Sequence, residues 1–197
     1  MGTIVLASGN KKKLAEMQAI LAPLGHTLVA QSELGVPEAP EPHDTFLENA
    51  LAKARNAALH TGLPAIADDS GLCVDALLGA PGVHSAYYGG AHKNDDDNNA
   101  KLLRTLAGVA NRRAHYTAMI VTLRRADDPE PLIAHGQWHG EIVDAPLGDG
   151  GFGYDPYFYL PEFKMTAAQM PAAQKNTISH RARALQKLFA ALRSDFA

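Results

Sequence analysis

Residues 3–25 read TIVLASGNKKKLAEMQAILAPLG. A short continuous apolar run, Ile4-Val5-Leu6, meets the small polar turn Ser8-Gly9-Asn10. Leu14, Met17, Leu21 and Leu24 then recur at helical spacing until Gly25. The stretch predicts a buried strand, a tight turn and a helix, which is the opening unit of a layered α/β fold. It also carries an anomaly. Lys11, Lys12 and Lys13 put positive charge in the first helical turn, where the helix dipole favours acids. A solvated lysine run is the plain reading. The preceding strand and turn favour a phosphate site instead, because the first N–H groups of a helix lack intrahelical partners and point back at the turn. The spacing is not that of a Walker A loop, since G-x-x-x-x-G-K-[ST] is absent.

Outward from this unit the chain alternates. Leu28-Val29-Ala30 predicts a second strand, and the segment 34–44, with Pro37, Pro40 and Pro42, predicts a loop. Thr45 followed by Glu48 is a capping-box pattern that starts a helix running to about His60. Pro64-Ala65-Ile66-Ala67 is a further short apolar run, expected to deliver the chain into a turn at Asp68-Asp69-Ser70-Gly71. Residues 94–106 predict a helix whose acids Asp95, Asp96 and Asp97 are accounted for by the dipole. Residues 115–125 and 132–143 are rich in β-branched and aromatic residues around Asp127-Asp128-Pro129-Glu130, a hairpin pattern. A last helix from Ser179 presents Ala182, Leu185, Leu188, Phe189 and Leu192 on one face. The expected product is an α/β fold with a mixed central β-sheet flanked by helices, in one domain spanning residues 1–197.

Bulk properties exclude several classes. A chain of 197 residues with 46% hydrophobic and 20% charged residues can bury a core without disulfides or structural metal. No apolar segment is long enough to cross a bilayer. The start, MGTIVLAS, has neither the basic n-region nor the h-region of a signal peptide, so a cytoplasmic location is expected. The single Cys73 is expected to be a buried apolar residue. The net charge of −3 argues against nucleic-acid or membrane partners. Any polyanion has to be met by a local basic cluster.

Five groups of residues can carry chemistry. Ser8 to Lys13 is the candidate phosphate loop. On the helix after Thr45, Asn49, Lys53 and Asn56 share a face, so Lys53 either faces phosphate or is solvated. Asp68 and Asp69 are adjacent carboxylates whose repulsion a shared cation would relieve, and hard oxygen ligands suit Mg²⁺. Glu41, in the proline-bounded loop, could complete that site. The alternative is an Asx-type turn. The run 148–156, GDGGFGYDP, is too glycine-rich for an element interior and lets backbone approach a ligand. Its Phe152 either stacks on a purine or anchors the loop in the core. Lys175, His180 and Arg181 gather cationic groups near the start of the final helix, with Ser179 as the expected N-cap. His135 and His139 have a zinc-like spacing but lie in a strand pattern with no third ligand, and Trp138 between them reads as a packing residue.

Together these segments resemble the inosine triphosphate pyrophosphatase family, also called the non-canonical purine, dITP or XTP pyrophosphatases. The resemblance runs over nearly the whole chain and rests on Ser8-Gly9-Asn10 with Lys13, Asp44 to Ala50 with Lys53, Ala67 to Leu72, Gly79 to Ala86, Gly150 to Pro156, and Lys175 with Ser179-His180-Arg181. It implies a two-lobed domain with its active site in the cleft, Mg²⁺-dependent hydrolysis of ITP, dITP and XTP to the monophosphate and pyrophosphate, and a homodimer. By the same resemblance Ser8, Gly9, Asn10, Lys11, Lys12 and Lys13 hold phosphates and Lys53 adds charge. Glu41, Asp69 and Asp68 supply the metal site, with Asp69 also the base for water. Ser70, Phe152, Gly153, Tyr154, Asp155, Lys175, His180 and Arg181 contact the rest of the substrate. Two departures stand out: Ser8 replaces the common Thr, and Tyr87 replaces the usual Arg of Ser-Ala-Arg-Tyr. Competing readings are a nucleotide-binding regulatory module without turnover and a Maf-like pyrophosphatase for other modified nucleotides.

Overall fold

The computed structural model describes residues 2–21, 25 and 27–194, apart from the side chains of 20, 21 and 191–194. Leu24 and the side chains of Leu21 and Leu192, counted above as apolar positions, lie outside that description. In chain order the elements are β1 (Thr3–Leu6), α1 (Lys11–Leu21), β2 (Thr27–Ala30), α2 (Phe46–Thr61), β3 (Ala65–Val74), α3 (Asp95–Thr105), β4 (Arg113–Leu123), β5 (Leu132–Ile142), β6 (Phe158–Leu160), β7 (Met165–Thr166), α4 (Ala172–Ile178) and α5 (His180–Ser194). The seven strands form one sheet in the order β2-β1-β3-β4-β5-β6-β7. β1 pairs in parallel with β2 and β3, whereas β6 is antiparallel to β5 and β7. The sheet is therefore mixed, as expected.

The chain falls into two compact units. The first comprises Met1–Asp69, Ala118–Gly136 and Arg181–Ala197. Its strands show why continuous apolar runs were needed, because both faces are buried and the period of two splits each run between two cores. Val5, Ala7, Ala65, Ala67, Val121 and Leu123 pack with Ala50, Ala54, Ala57 and Ala58 of α2. Leu6, Ile66, Ala118, Ile120 and Ala134 face the other way, onto Met17 of α1 and Ala184, Leu185 and Leu188 of α5. The α2 face is nearly all alanine, which lets the helix backbone approach the sheet closely. Thr45 caps α2 by accepting from the Glu48 N–H at 3.3 Å, and Gly62 ends it in the left-handed conformation.

The second unit comprises Ser70–Thr117 and Gln137–His180. Its core joins Leu72 and Val74 of β3, Leu102 and Leu106, Tyr116, Trp138, Phe158 and Met170. Asn94 caps α3, accepting from the N–H groups of Asp96 and Asp97. Trp138 is 2% exposed and packs as expected.

Three expectations require correction. Asp68-Asp69-Ser70-Gly71 is not a turn but the middle of the ten-residue strand β3. The polar residues looked like an interruption because their partners are remote in sequence. Lys175 is not at the start of the last helix; it lies on the separate short helix α4. Cys73 is half-buried rather than buried, and burial together with the nearby Asp75 charge pushes its thiol pKa up.

Candidate active site

In the first unit the site is built on the ends of β1 and the middle of β3. Leu6 ends the strand, and Asn10 closes the turn that follows by accepting from the N–H groups of Lys12 at 2.9 Å and Lys13 at 3.1 Å. The Ser8 hydroxyl oxygen accepts from the Asn10 N–H at 3.1 Å. Asn10 is thus the N-cap of α1, and its side chain takes two of the N–H groups that a phosphate could have used. Gly9 is exposed and lies under Glu38, since a Cβ added there would come within 2.8 Å of the Glu38 Oε1. Lys11 and Lys12 are exposed. Lys13 turns inward instead, placing Nζ 2.9 Å from Asp68 Oδ2.

Asp68 is fully enclosed and also meets the guanidinium of Arg181 at 3.2 Å. Arg181 in turn donates to Glu16, on the face of α1 that also carries Lys13. Burial pushes the Asp68 carboxyl up, but the charges of Arg181 and Lys13 more than reverse this and hold it well below the usual carboxylate range. Arg181, at 1% exposure, therefore belongs with Asp68 and Glu16.

Asp69 points to the other side of β3. Its Oδ1 receives Lys53 Nζ at 2.7 Å, and the same ammonium donates to Glu41 Oε1 at 2.6 Å and to the Asp68 carbonyl at 3.0 Å. Lys53 reaches these groups because α2 staples the proline-rich loop beside it. The Asn49 amide bonds both the N–H and the carbonyl of His43, at 3.1 and 3.2 Å, and Asn56 donates to the Pro37 carbonyl at 2.8 Å. The polar stripe read from the helix thus fixes Glu41 from both flanks. Burial alone would lower the Lys53 pKa, but the charges of Asp69 and Glu41 raise it overall. Burial raises Asp69 despite Lys53.

Among the described residues no three His, Cys, Asp or Glu side chains converge as a closed metal cage. The residues do fit Mg²⁺, which needs only one or two carboxylates and takes water and phosphate oxygens for the rest. Glu41 and Asp69 are one ammonium apart, and Asp69 Oδ2 is buried without a hydrogen-bond partner. Of the three acids named from the sequence, Asp68 is the one already faced by two cations.

The second unit holds the glycine loop. Gly148, Gly151 and Gly153 have φ of 84°, 73° and 64°, and a Cβ at Gly151 would lie 2.0 Å from Asp155 Oδ2, so the loop is wrapped around that carboxylate. Asp155 Oδ2 accepts from the Phe152 N–H at 2.9 Å and from Lys175 Nζ at 2.7 Å. Lys175 Nζ also stands 5.0 Å from the centre of the Phe152 ring. Phe152 is half-buried. Tyr154 and Asp155 are buried, and the Tyr154 hydroxyl donates to the Ser85 carbonyl at 2.7 Å, so these two brace the loop. His180 stacks on Tyr116 at 4.8 Å. Ser70 is half-buried, and Tyr87 is exposed with Lys93 Nζ 5.2 Å from its ring centre.

Sequence reading missed Glu16, Asp95 and Asn99. Glu16 lies three residues after Lys13, a spacing that could have marked it as a partner on the same face. Asp95 and Asn99 both bond Gly153, at 2.8 and 2.9 Å. Their spacing of four signalled a shared face, but not what that face meets.

The chain is similar to known proteins over most of its length. The dITP/XTP pyrophosphatase of Ralstonia nicotianae is 60% identical over 196 residues, 98% of each chain. That of Nitrosomonas europaea is 57% identical over 188 residues, 95% of this chain and 93% of its own. The structure of a HAM1 protein from Coxiella burnetii superposes with a TM-score of 0.91 at 47% identity, covering 98% of this chain and all of its own. The Ham1 family model matches residues 4–191. With Ser8 to Lys13, the β3 acids and the glycine loop all inside that span, the chain belongs to the Ham1 family.

Proposed function

We propose that this protein is a Mg²⁺-dependent pyrophosphatase that hydrolyses ITP, dITP and XTP to the nucleoside monophosphate and pyrophosphate, with residues 1–197 serving as one enzyme domain. The observation that carries the reading is Asp69: a buried carboxylate, raised in pKa, with one oxygen on Lys53 and the other unbonded. The family match and the relatives named above support the substrate class.

In this reading Asp69 takes the proton of the water that attacks the α-phosphorus, and the bond to the bridging oxygen breaks to release pyrophosphate. Lys53 and Lys13 offset charge developing on the phosphates, aided by Ser8, Gly9, Asn10, Lys11 and Lys12. Glu41 and Asp69 hold the metal, which supplies Lewis-acid stabilisation of phosphoryl oxygen when bound. Asp68 orients Lys13 and Arg181. Ser70 contacts the nucleotide. Phe152 and Gly153 contact the base, Tyr154 and Asp155 support them, and Lys175 and His180 present donors suited to a carbonyl at purine position 6. An adenine amino group there would meet donor with donor and lose binding. Among the described residues no helix is long and apolar enough to cross a membrane. We further propose a homodimer on the family resemblance, and a cytoplasmic location because the single Cys73 fits a reducing compartment.

The test is a panel of ITP, dITP, XTP, ATP, GTP and pyrimidine triphosphates with Mg²⁺, with phosphorus products identified. Pyrophosphate from the first three, at a kcat/KM at least about tenfold above ATP, is expected. Orthophosphate as the sole product, or tight binding without turnover, would overturn the assignment, and preference for pyrimidines would move the protein to a Maf-like activity.

A further inference from the structure

We infer that Asp95 and Asn99, on the first turns of α3, are positioning residues for base recognition. They clamp Gly153 so that the glycine loop presents Phe152 in one conformation. The inference rests on the reading that this loop contacts the base.

Gly153 is held through both of its backbone polar groups. Its N–H donates to Asp95 Oδ2 at 2.8 Å, and its carbonyl accepts from Asn99 Nδ2 at 2.9 Å. Asn99 is itself fixed by donating to the Asp95 carbonyl at 2.8 Å. The clamp therefore acts as one piece. It is needed because Gly151 and Gly153 both have positive φ, and glycine is conformationally permissive. Asp155 fixes the loop one residue earlier, accepting from the Phe152 N–H and donating its own N–H to the Phe152 carbonyl at 3.3 Å. Without α3, the backbone after Phe152 could turn about Gly153 and the ring would lose its set above Lys175.

The dipole accounts equally for all three acids in this turn, yet only Asp95 has a loop partner among the hydrogen bonds of Asp95, Asp96 and Asp97 side chains. Asp96 and Asp97 are exposed. That difference supplies the control. An Asp96→Ala variant loses the same charge at the same helix end without touching Gly153. An Asp95→Asn variant keeps an acceptor oxygen while losing the charge.

Steady-state kinetics on ITP with Mg²⁺, and amide hydrogen exchange over residues 151–155, should be measured for the wild type and for Asp95→Ala, Asp95→Asn and Asp96→Ala. Asp95→Ala is expected to raise KM about tenfold with kcat within about twofold, and to speed exchange of the Gly153 amide by a similar factor. Asp95→Asn should restore most of both, and Asp96→Ala should change neither. Equal effects of Asp95→Ala and Asp96→Ala, or unchanged exchange at Gly153, would overturn the clamp. A wild-type protein inactive on ITP would instead sink the proposed function, and the exchange comparison would still decide on the clamp.

Discussion

Arg181 approaches Asp68 to 3.2 Å with both side chains shut off from solvent, although 113 residues separate them in the chain. Lys13 meets the same carboxylate oxygen at 2.9 Å, so one acid fixes two cations. An ion group of this kind is costly to break because a single deletion strands a buried charge.

Asp68→Asn is therefore expected to cost about 3–5 kcal/mol, read as a fall in Tm of roughly 10 °C. The pH dependence carries its own sign. The folded carboxyl lies below its unfolded value, so its contribution is fully present above about pH 4 and is lost as pH falls toward the depressed pKa. Denaturant melts of variant and wild type should differ by a constant amount from pH 8 to 5 and converge below about 4.

Asp69→Asn should behave oppositely. The folded pKa of Asp69 is raised, so its ionised form costs stability above that pKa and nothing below its unfolded value. At pH 7 without added metal, the variant is expected to melt at or above the wild-type temperature while kcat falls about 10²–10⁴-fold. A Tm drop of several degrees would contradict this.

Glu41 is exposed at the rim and shares Lys53 with Asp69. Glu41→Gln should raise the Mg²⁺ concentration for half-maximal rate several-fold while leaving Tm within about 1–2 °C, since an exposed ion pair contributes little to stability. EDTA should stop pyrophosphate release, and Mg²⁺ should restore it.

Gly151→Ala tests the loop wrapped around Asp155. Its Cβ would meet Asp155 Oδ2 at 2.0 Å and its φ is 73°. A loss of at least about 1–3 kcal/mol is expected from the backbone conformation alone. Gly90→Ala, which meets nothing within 4 Å, should shift stability by no more than about 0.5 kcal/mol.

Local signals were legible where local physics decides. The Thr45–Glu48 box, the acidic first turn after Asn94 and the Ile4-Val5-Leu6 run each located an element correctly, because helix starts and short apolar strands depend on near neighbours. The middle of β3 was not legible. A strand buried on both faces shows no alternation, and its acids are tolerated only because Lys13, Lys53 and Arg181 arrive from elsewhere in the chain. α4 was missed for a similar reason: its seven residues have no side-chain cap, and Lys175 is neutralised by Asp155 twenty positions away. Arg181 was named, but its pairing with Asp68 and Glu16 was not read, since sequence adjacency to His180 says nothing about which way successive residues of a helix face.

The alanines of α2 bear on how this sequence can vary. Ala50, Ala54 and Ala57 have 0% exposure and surround Lys53 along the helix. A methyl group has no rotamers, so nothing at these positions can rearrange to absorb an added carbon. A change as mild as Ala54→Val would shift the helix bodily, carrying its ammonium away from Asp69. Inherited variation at these chemically inert positions should thus surface as lost turnover rather than as lost expression, and a screen for abundance alone would pass over it.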